Sequence, residues 1–410
     1  MSLLKARVAQ FARWQRKTLR YRVLNPVRYA ADNARMALEP NVAGAPSCRI
    51  LLVSDAQIAT SEEQLKPFFF YRSDLRRHLK VISMHLLLED VLRLPKVALR
   101  SFDIIAVKLS FRIGAAEVSE IGRLITVIAG NRPVVYLDGD DDICIMHPEI
   151  LSWVAVYVKK HIFRDRGQYL QRFVGKSNLT DFVHREYNYS FADDPHAKES
   201  RAVDSAHLNK IIVGWNVALD SNIVELFTNV IANTEPMKKN VDVMFRGNVP
   251  KDWLYYLRKD IEPSLRKLQS SFNVIIPKER VSRDEYFREM MGSKICLSPF
   301  GYGEICWRDL EAIMCGCLLI KPDMSHIETV PNIFRANETY VPVRWDYADL
   351  EEKCSYYLRH DDERERIVSS ALEVLVDYYG RKGFLTSVTE ILGRVQWRGS
   401  LDREGNRTTQ

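Results

Sequence analysis

Two series of short apolar runs, each alternating with longer amphipathic stretches, constrain this chain more than any other feature. In the first series, 49–54 (RILLVS), 81–84, 103–107 (DIIAV) and 133–137 (PVVYL) read as strands. Helical periodicity follows RILLVS to about residue 79 and recurs over 86–98 and 115–129. The second series predicts strands at 241–245 (VDVMF), 272–276, 294–298 (KICLS) and 317–320 (CLLI), with helices over 253–268, 282–291 and 304–314. The last hundred residues read as mainly helical. Continuous apolar strands separated by helices form parallel sheets covered on both faces, with sites at the carboxyl ends of the strands. Residues 160–209 are polar and aromatic, break the rhythm, and read as long loops at an interdomain face. The expected fold is α/β, with two Rossmann-like domains facing a cleft and an N-terminal basic amphipathic helix. The expected boundaries are an arm at 1–45, a first domain at 46–210, a second at 211–398 and a loose tail at 399–410.

Composition removes several alternatives. The 410 residues are 46% hydrophobic and 27% charged, which excludes a disordered or collagen-like chain. No charge-free apolar run is long enough to span a bilayer, and the basic N-terminus lacks the apolar core of a signal peptide, so neither a membrane span nor export is expected. The seven cysteines are odd in number and scattered through apolar segments, as reduced thiols in a cytosol would be.

Charge is concentrated at one end. Residues 1–38 hold nine Lys or Arg against Asp32 alone, a local +8 that leaves −2 of the total +6 for the rest. A net acidic body does not suit a phosphate-binding surface, so nucleic acid is not an expected partner. On a helical wheel Leu3, Leu4, Val8, Phe11, Trp14, Leu19 and Tyr21 share one face. Lys5, Arg13, Arg16, Lys17 and Arg20 share the other, with Arg7 and Arg22 intruding on the apolar side. Such a helix fits an anionic membrane surface, which predicts a cytoplasmic protein held peripherally at the inner membrane face. A helix docked on its own domain is the alternative, with RNA as a lesser one.

The chemistry concentrates in residues 293–323, SKICLSPFGYGEICWRDLEAIMCGCLLIKPD. Pro299, Gly301 and Gly303 follow a strand and let backbone approach a ligand closely, and the next helix opens with free amides. Helical spacing puts Glu304, Arg308 and Glu311 on one face, where a guanidinium and carboxylates would hold a diphosphate and the vicinal hydroxyls of a ribose or sugar. A surface ion-pair ladder has the same spacing.

The run R-x-x-E-A-I-x-x-G-C, at 308–317 and followed by an apolar strand and Pro-Asp, resembles the donor-binding signature of GT-B glycosyltransferases. Its Gly-Cys ending looks most like exostosin-type and related bacterial polysaccharide transferases. Phe245-Arg246-Gly247-Asn248 resembles the loop under the donor diphosphate in that fold. The resemblance covers about residues 240–330 and implies donor contacts from Arg246, Gly247, Phe300, Gly301, Glu304, Arg308 and Glu311, with Arg246 on phosphate and Glu311 on ribose. In the commonest retaining families two glutamates stand eight apart here, whereas Glu304 and Glu311 are seven apart.

Asp138-Gly139-Asp140-Asp141-Asp142 ends the PVVYL strand, and four carboxylates in five residues need metal, protons or solvent to be tolerated. Asp140 and Asp138 are the expected catalytic residues, one of them deprotonating the acceptor hydroxyl. Asp-x-Asp also resembles the metal site of GT-A glycosyltransferases and, apart from Asp142, the motif of haloacid-dehalogenase-type phosphatases. A solvated acidic turn is the bland alternative. Asp55, His85, His326 and Glu328 are lesser candidates near strand ends, and Lys159-Lys160-His161 either points charge into the cleft or is ordinary surface. Dinucleotide, P-loop and zincin motifs are absent.

The expected function is transfer of a sugar from a nucleotide-sugar donor to a glycan or lipid-linked acceptor in cell-surface polysaccharide synthesis. No cofactor or divalent metal is expected. The alternatives are a metal-dependent phosphatase using Asp138 and Asp140, or a non-catalytic nucleotide-sugar or glycan-binding protein.

Overall fold

The computed structural model describes residues 48–55, 63–94, 99–194, 200–232, 238–277 and 279–396. The expected arm at 1–45 and tail at 399–410 lie outside the described residues.

The first apolar series builds a six-stranded parallel sheet in the order β2-β1-β3-β4-β5-β7. Its strands are β1 (Cys48–Ser54), β2 (Val81–Leu87), β3 (Ile104–Lys108), β4 (Val134–Asp138), β5 (Val156–Lys159) and β7 (Ile211–Val213). Every residue of β3, β4 and β5 is buried, as both-face coverage requires. Helices α1 (Lys66–Phe70), α2 (Leu88–Arg93) and α3 (Ala115–Ala129) follow the first three strands, and α4 (Asn178–Tyr187) lies within the stretch expected to be irregular.

After α5 (Ser221–Ala232), the second series builds a five-stranded parallel sheet in the order β13-β11-β10-β8-β9. It comprises β8 (Val241–Met244), β9 (Val274–Ile275), β10 (Ser293–Leu297), β11 (Leu318–Pro322) and β13 (Val341–Val343). The helix expected over 253–268 is instead a 3-10 turn, Trp253–Tyr255, followed by α6 (Ile261–Leu268). Pro263 explains the break: it lacks an N–H, and the later start puts it in the first turn, where none is needed. Helices α7 (Arg283–Met291), α8 (Trp307–Met314), α9 (Leu350–Arg359) and α10 (Asp361–Gly380) complete this domain.

Two features correct the expected boundaries. β7 belongs to the first sheet, pairing with β5 from Tyr157↔Ile211 to Lys159↔Val213, so the first domain extends past residue 210. The last helix, α11 (Gly383–Arg394), crosses back to the first domain. There the Phe384 ring meets Phe68 at 5.1 Å and Trp215 at 4.9 Å, both edge-on, and all three are almost wholly buried. Burying a side chain of this kind contributes about 1.5–3 kcal/mol, enough to hold the crossing.

The domains also share a two-stranded antiparallel ribbon, β6 (His161–Phe163) against β12 (Ile327–Thr329), which Arg164 extends by donating to the Ser325 and Ile327 carbonyls. Strand order reverses between β1 and β3 in the first sheet and between β8 and β10 in the second, and a parallel sheet opens its ligand crevice at such a reversal. The segments after β8 and β10 are those singled out in the sequence for donor binding.

Candidate active site in the interdomain cleft

The helix bearing Arg308 starts later than its spacing suggested. Cys306 caps α8, and the Asp309 carboxylate returns a bond to the Cys306 N–H at 3.0 Å, so the first helical residue is Trp307. Asp309 is itself fixed by Ser298 Oγ at 2.5 Å and Lys321 Nζ at 3.1 Å. One face of α8 is buried through Leu310, Ala312, Ile313 and Met314. The other presents Trp307, Arg308 and Glu311 to a cleft of about 470 Å³ between the domains.

Glu304 is outside that helix, which corrects its expected place on the donor face. It is fully buried in the preceding turn, where its Oε2 lies 3.0 Å from His161 Nε2 and its Oε1 lies 4.0 Å from His326 Nε2. Burial pushes the Glu304 carboxyl up, but the hydrogen bond with His161 and the nearby His326 imidazole outweigh it and hold the group well below the usual range. Burial in turn keeps His161 below its ordinary value. Glu304 is an interdomain strut. Phe300 is corrected likewise: its ring is buried 5.0 Å from Trp345, and its carbonyl accepts from Arg258.

Gly301 lines the cleft, and Gly303 explains how the domains close on it. A Cβ on Gly303 would stand 1.9 Å from the Asp141 carbonyl oxygen, so only glycine allows the second-domain turn to press on the Asp cluster of the first. Glu311 lines both this cleft and an adjoining hollow of about 920 Å³, and accepts from Tyr286 OH at 2.7 Å. Arg246 and Gly247 line the adjoining hollow, and Arg246 makes a bidentate pair with Glu289 at 2.6 and 2.7 Å. Tyr286, Trp307 and Glu311 border both spaces, which makes the cleft and the hollow one continuous groove.

Arg308 stands apart from the other arginines of this region. Its Nε is buried with no hydrogen-bond partner, and its guanidinium forms no ion pair among the described residues. Burial and then the charge of Arg308 pull neighbouring Arg258 below its ordinary value. Two guanidiniums close together make an electropositive spot at the carboxyl end of β10.

The Asp cluster is neutralised by lysines, a solution the sequence reading did not include. Asp138 Oδ2 pairs with Lys159 at 2.8 Å, Asp140 with Lys108 at 2.8 Å, Asp141 with Lys160 at 2.6 Å and Asp142 with Lys176 at 2.8 Å. Tyr157 OH also donates to Asp138 at 2.7 Å. Burial pushes Asp138 up, but Lys159 and Lys108 overcome it and hold the group at about 2. For Asp140 burial wins and raises the carboxyl, as it does for Asp142, at about 6. Each carboxylate is thus already satisfied by one lysine, and among the described residues no group of three or more His, Cys, Asp or Glu could hold a metal ion.

Asp138 and Asp140 therefore do not occupy the expected acceptor-base position: both are buried, and the cluster meets the cleft only through Gly139, Asp141 and Lys160. The cleft carboxylate overlooked in the sequence is Asp220. It follows β7, accepts from Trp307 Nε1 at 2.6 Å, and is raised to about 7 by burial and then by Glu63. Its signal in the sequence was faint, one Asp before a helix. Lys108 was more legible, as a charge ending an apolar strand beside an acidic strand tip.

The lesser candidates have structural partners. Asp55 accepts from the Ser110 N–H at 2.7 Å, buried His85 lies 2.9 Å from Ser54 Oγ, and Glu328 pairs with Arg166 at 2.7 Å.

Comparison with known proteins bears on the second domain. Residues 235–381 match the family model described as "Glycosyl transferase-like". No curated protein matches the chain in sequence. Similar solved structures include a glycosyltransferase from Rickettsia africae (14% identity, 86% of this chain and 99% of that one, TM-score 0.47). Others are an alpha-glucosyltransferase in complex with UDP and DNA (11%, 83% and 99%, 0.46) and HepE of Anabaena in complex with UDP-glucose (10%, 84% and 99%, 0.38). The matched segment, which carries Arg246, Arg308 and Glu311, is similar to glycosyl transferases in sequence.

Proposed function

We propose that this chain transfers a sugar from a nucleotide-sugar donor to a glycan or lipid-linked acceptor in the synthesis of cell-surface polysaccharide. The observation that carries this reading is the unpaired Arg308 guanidinium, facing the cleft three residues from Glu311 within the segment matched to glycosyltransferases. A half-buried guanidinium with no ion pair among the described residues and a buried, unpartnered Nε is open to an anion, and the diphosphate of a donor is the anion that would complete it. Glu311 would accept the ribose hydroxyls, and the groove lined by Tyr286 and Trp307 would take the flat faces of base and sugar. Arg246 would support the diphosphate, sharing its charge with Glu289.

In the reaction, Arg308 and the free amides at the start of α8 would stabilise charge developing on the leaving nucleotide. Asp220 is the cleft carboxylate suited to take the acceptor's proton, because its affinity for a proton matches neutral pH. Lys160, beside Asp141 on the first-domain wall, would orient the acceptor. Asp138 and Asp140 would act by holding the strand tip against Gly303.

The test is nucleotide release from a panel of UDP-, GDP-, CMP- and dTDP-sugars. Release from one class, dependent on Arg308, supports transfer. Binding without turnover favours a sensor, and phosphate release from a monoester favours a phosphatase.

The basic arm would hold the enzyme on the anionic cytoplasmic face of a membrane, its charge adding about 1 kcal/mol per Lys or Arg near the surface. Among the described residues no helix is long and apolar enough to cross a membrane. Removing residues 1–38 should abolish salt-sensitive sedimentation with anionic liposomes, and equal sedimentation without them contradicts the assignment.

A further inference from the structure

We propose that a separate hollow in the first domain binds the anionic group of the acceptor, a saccharide bearing a phosphate or carboxylate; this rests on the transferase reading above. The hollow measures about 300 Å³, at the lower end of the range for ligand pockets. Phe111, Ile145 and Met146 make its apolar wall, and its titratable lining residues, His147, Lys176 and Arg201, are all basic.

Three independent features point to an oxyanion. First, His147 is only 8% exposed, yet neither ring nitrogen has a hydrogen-bond partner, and Glu149 Oε1 stands 3.6 Å from Nδ1, beyond hydrogen-bond reach. A buried imidazole left in this state loses the bonds it would make in water, and a ligand oxygen would restore them. Second, the carboxylates that balance Lys176 and Arg201 stand outside the lining: Asp142 is 2.8 Å from Lys176 and Glu149 is 2.5 Å from Arg201. Both cations therefore remain available to the hollow from its basic side. Third, Ala115, the first residue of the 15-residue helix α3, lines the hollow, and its cap residue Gly114 has no side chain to satisfy the first-turn amides. Unsatisfied amides at a helix start favour an anion.

Position links the hollow to transfer. Lys176 Nζ also donates to the Tyr302 carbonyl at 3.4 Å, and Tyr302 lines the donor cleft. Lys176 thus reaches from the hollow to a residue of the donor cleft. A sugar anchored by its anionic group beside His147, with its ring against Phe111, could direct a neighbouring hydroxyl past Lys176 toward the cleft.

The experiment is calorimetric titration of the full chain with glucose 6-phosphate, glucuronate and glucose, and separately with nucleoside diphosphates. One or both anionic sugars should bind at least about tenfold more tightly than glucose. The two sugars distinguish a phosphate site from a carboxylate site. His147→Ala and Arg201→Gln should each weaken that binding about fivefold or more while nucleotide affinity is unchanged. Anionic sugars that bind no better than glucose, or binding indifferent to both substitutions, would overturn the proposal. Failure of every nucleotide to bind would instead count against the transferase reading, leaving anion binding at the hollow to be judged by the sugar titrations.

Discussion

Trp307 Nε1 donates a 2.6 Å hydrogen bond to Asp220 Oδ2, tying the first residue of the donor-side helix to the segment that leaves the first sheet. The contact brings a carboxylate into the cleft beside Lys160 and Glu63, where burial makes its ionised form unfavourable.

Asp220→Asn tests that environment through pH. A carboxyl whose folded pKa is raised contributes stability that is full below its unfolded value, about 4, and is lost as pH rises through about 7. The asparagine variant should therefore melt at least about 2 °C above wild type at pH 8 and close to it at pH 4. It keeps an acceptor for Trp307, yet turnover should fall about 100-fold with donor affinity near normal. Equal melting curves across the pH range would contradict the buried-carboxylate assignment, and unchanged turnover would remove Asp220 as the base.

The Asp140–Lys108 pair predicts the opposite behaviour. Asp140→Asn leaves a wholly buried lysine without its counter-charge and should cost on the order of 3 kcal/mol of stability. Adding Lys108→Met should restore most of that loss, since no charge then remains to be balanced at this pair. Urea unfolding of the two single variants and the double variant decides it. Additive losses would mean that the pair is not a coupled unit.

Gly303→Ala should impair the enzyme without touching a ligand group. The added methyl would meet the Asp141 carbonyl, backbone that cannot swing aside, so the domains would be forced apart at the cleft. Turnover should drop by more than about tenfold, with nucleotide affinity less affected because the donor residues sit on the second domain alone. A fully active alanine variant would show that the close approach is not needed.

Much of the architecture was legible because buried parallel strands leave uninterrupted apolar runs such as DIIAV, PVVYL and CLLI. Arg308 and Glu311 were legible because three-residue spacing on a helix needs no tertiary information. What escaped depends on contacts between distant segments. Nothing local in His161 and Glu304, 143 residues apart, announces that they meet at 3.0 Å. The β6–β12 ribbon is three residues wide on each side, too short for a period to show. The four lysines that neutralise the Asp cluster come from β3, β5 and two loops, and only their shared partners in the fold make them a set. The helix start was misread because Cys306 is a weak cap by composition, and Asp309 supplies the bond that makes it one.

The central claim is that Arg308 awaits a nucleotide diphosphate, and the thermal unfolding of wild type and Arg308→Met, with and without nucleoside diphosphates, tests it most directly. The Arg308 side chain is half-buried and makes no ion pair among the described residues, so removing its charge should leave the melting temperature of the ligand-free protein close to that of wild type. A diphosphate at 100 times its dissociation constant should stabilise wild type by about 2.7 kcal/mol and the variant far less. A variant that shifts with ligand as much as wild type does would contradict the assignment of Arg308 as the donor's phosphate ligand.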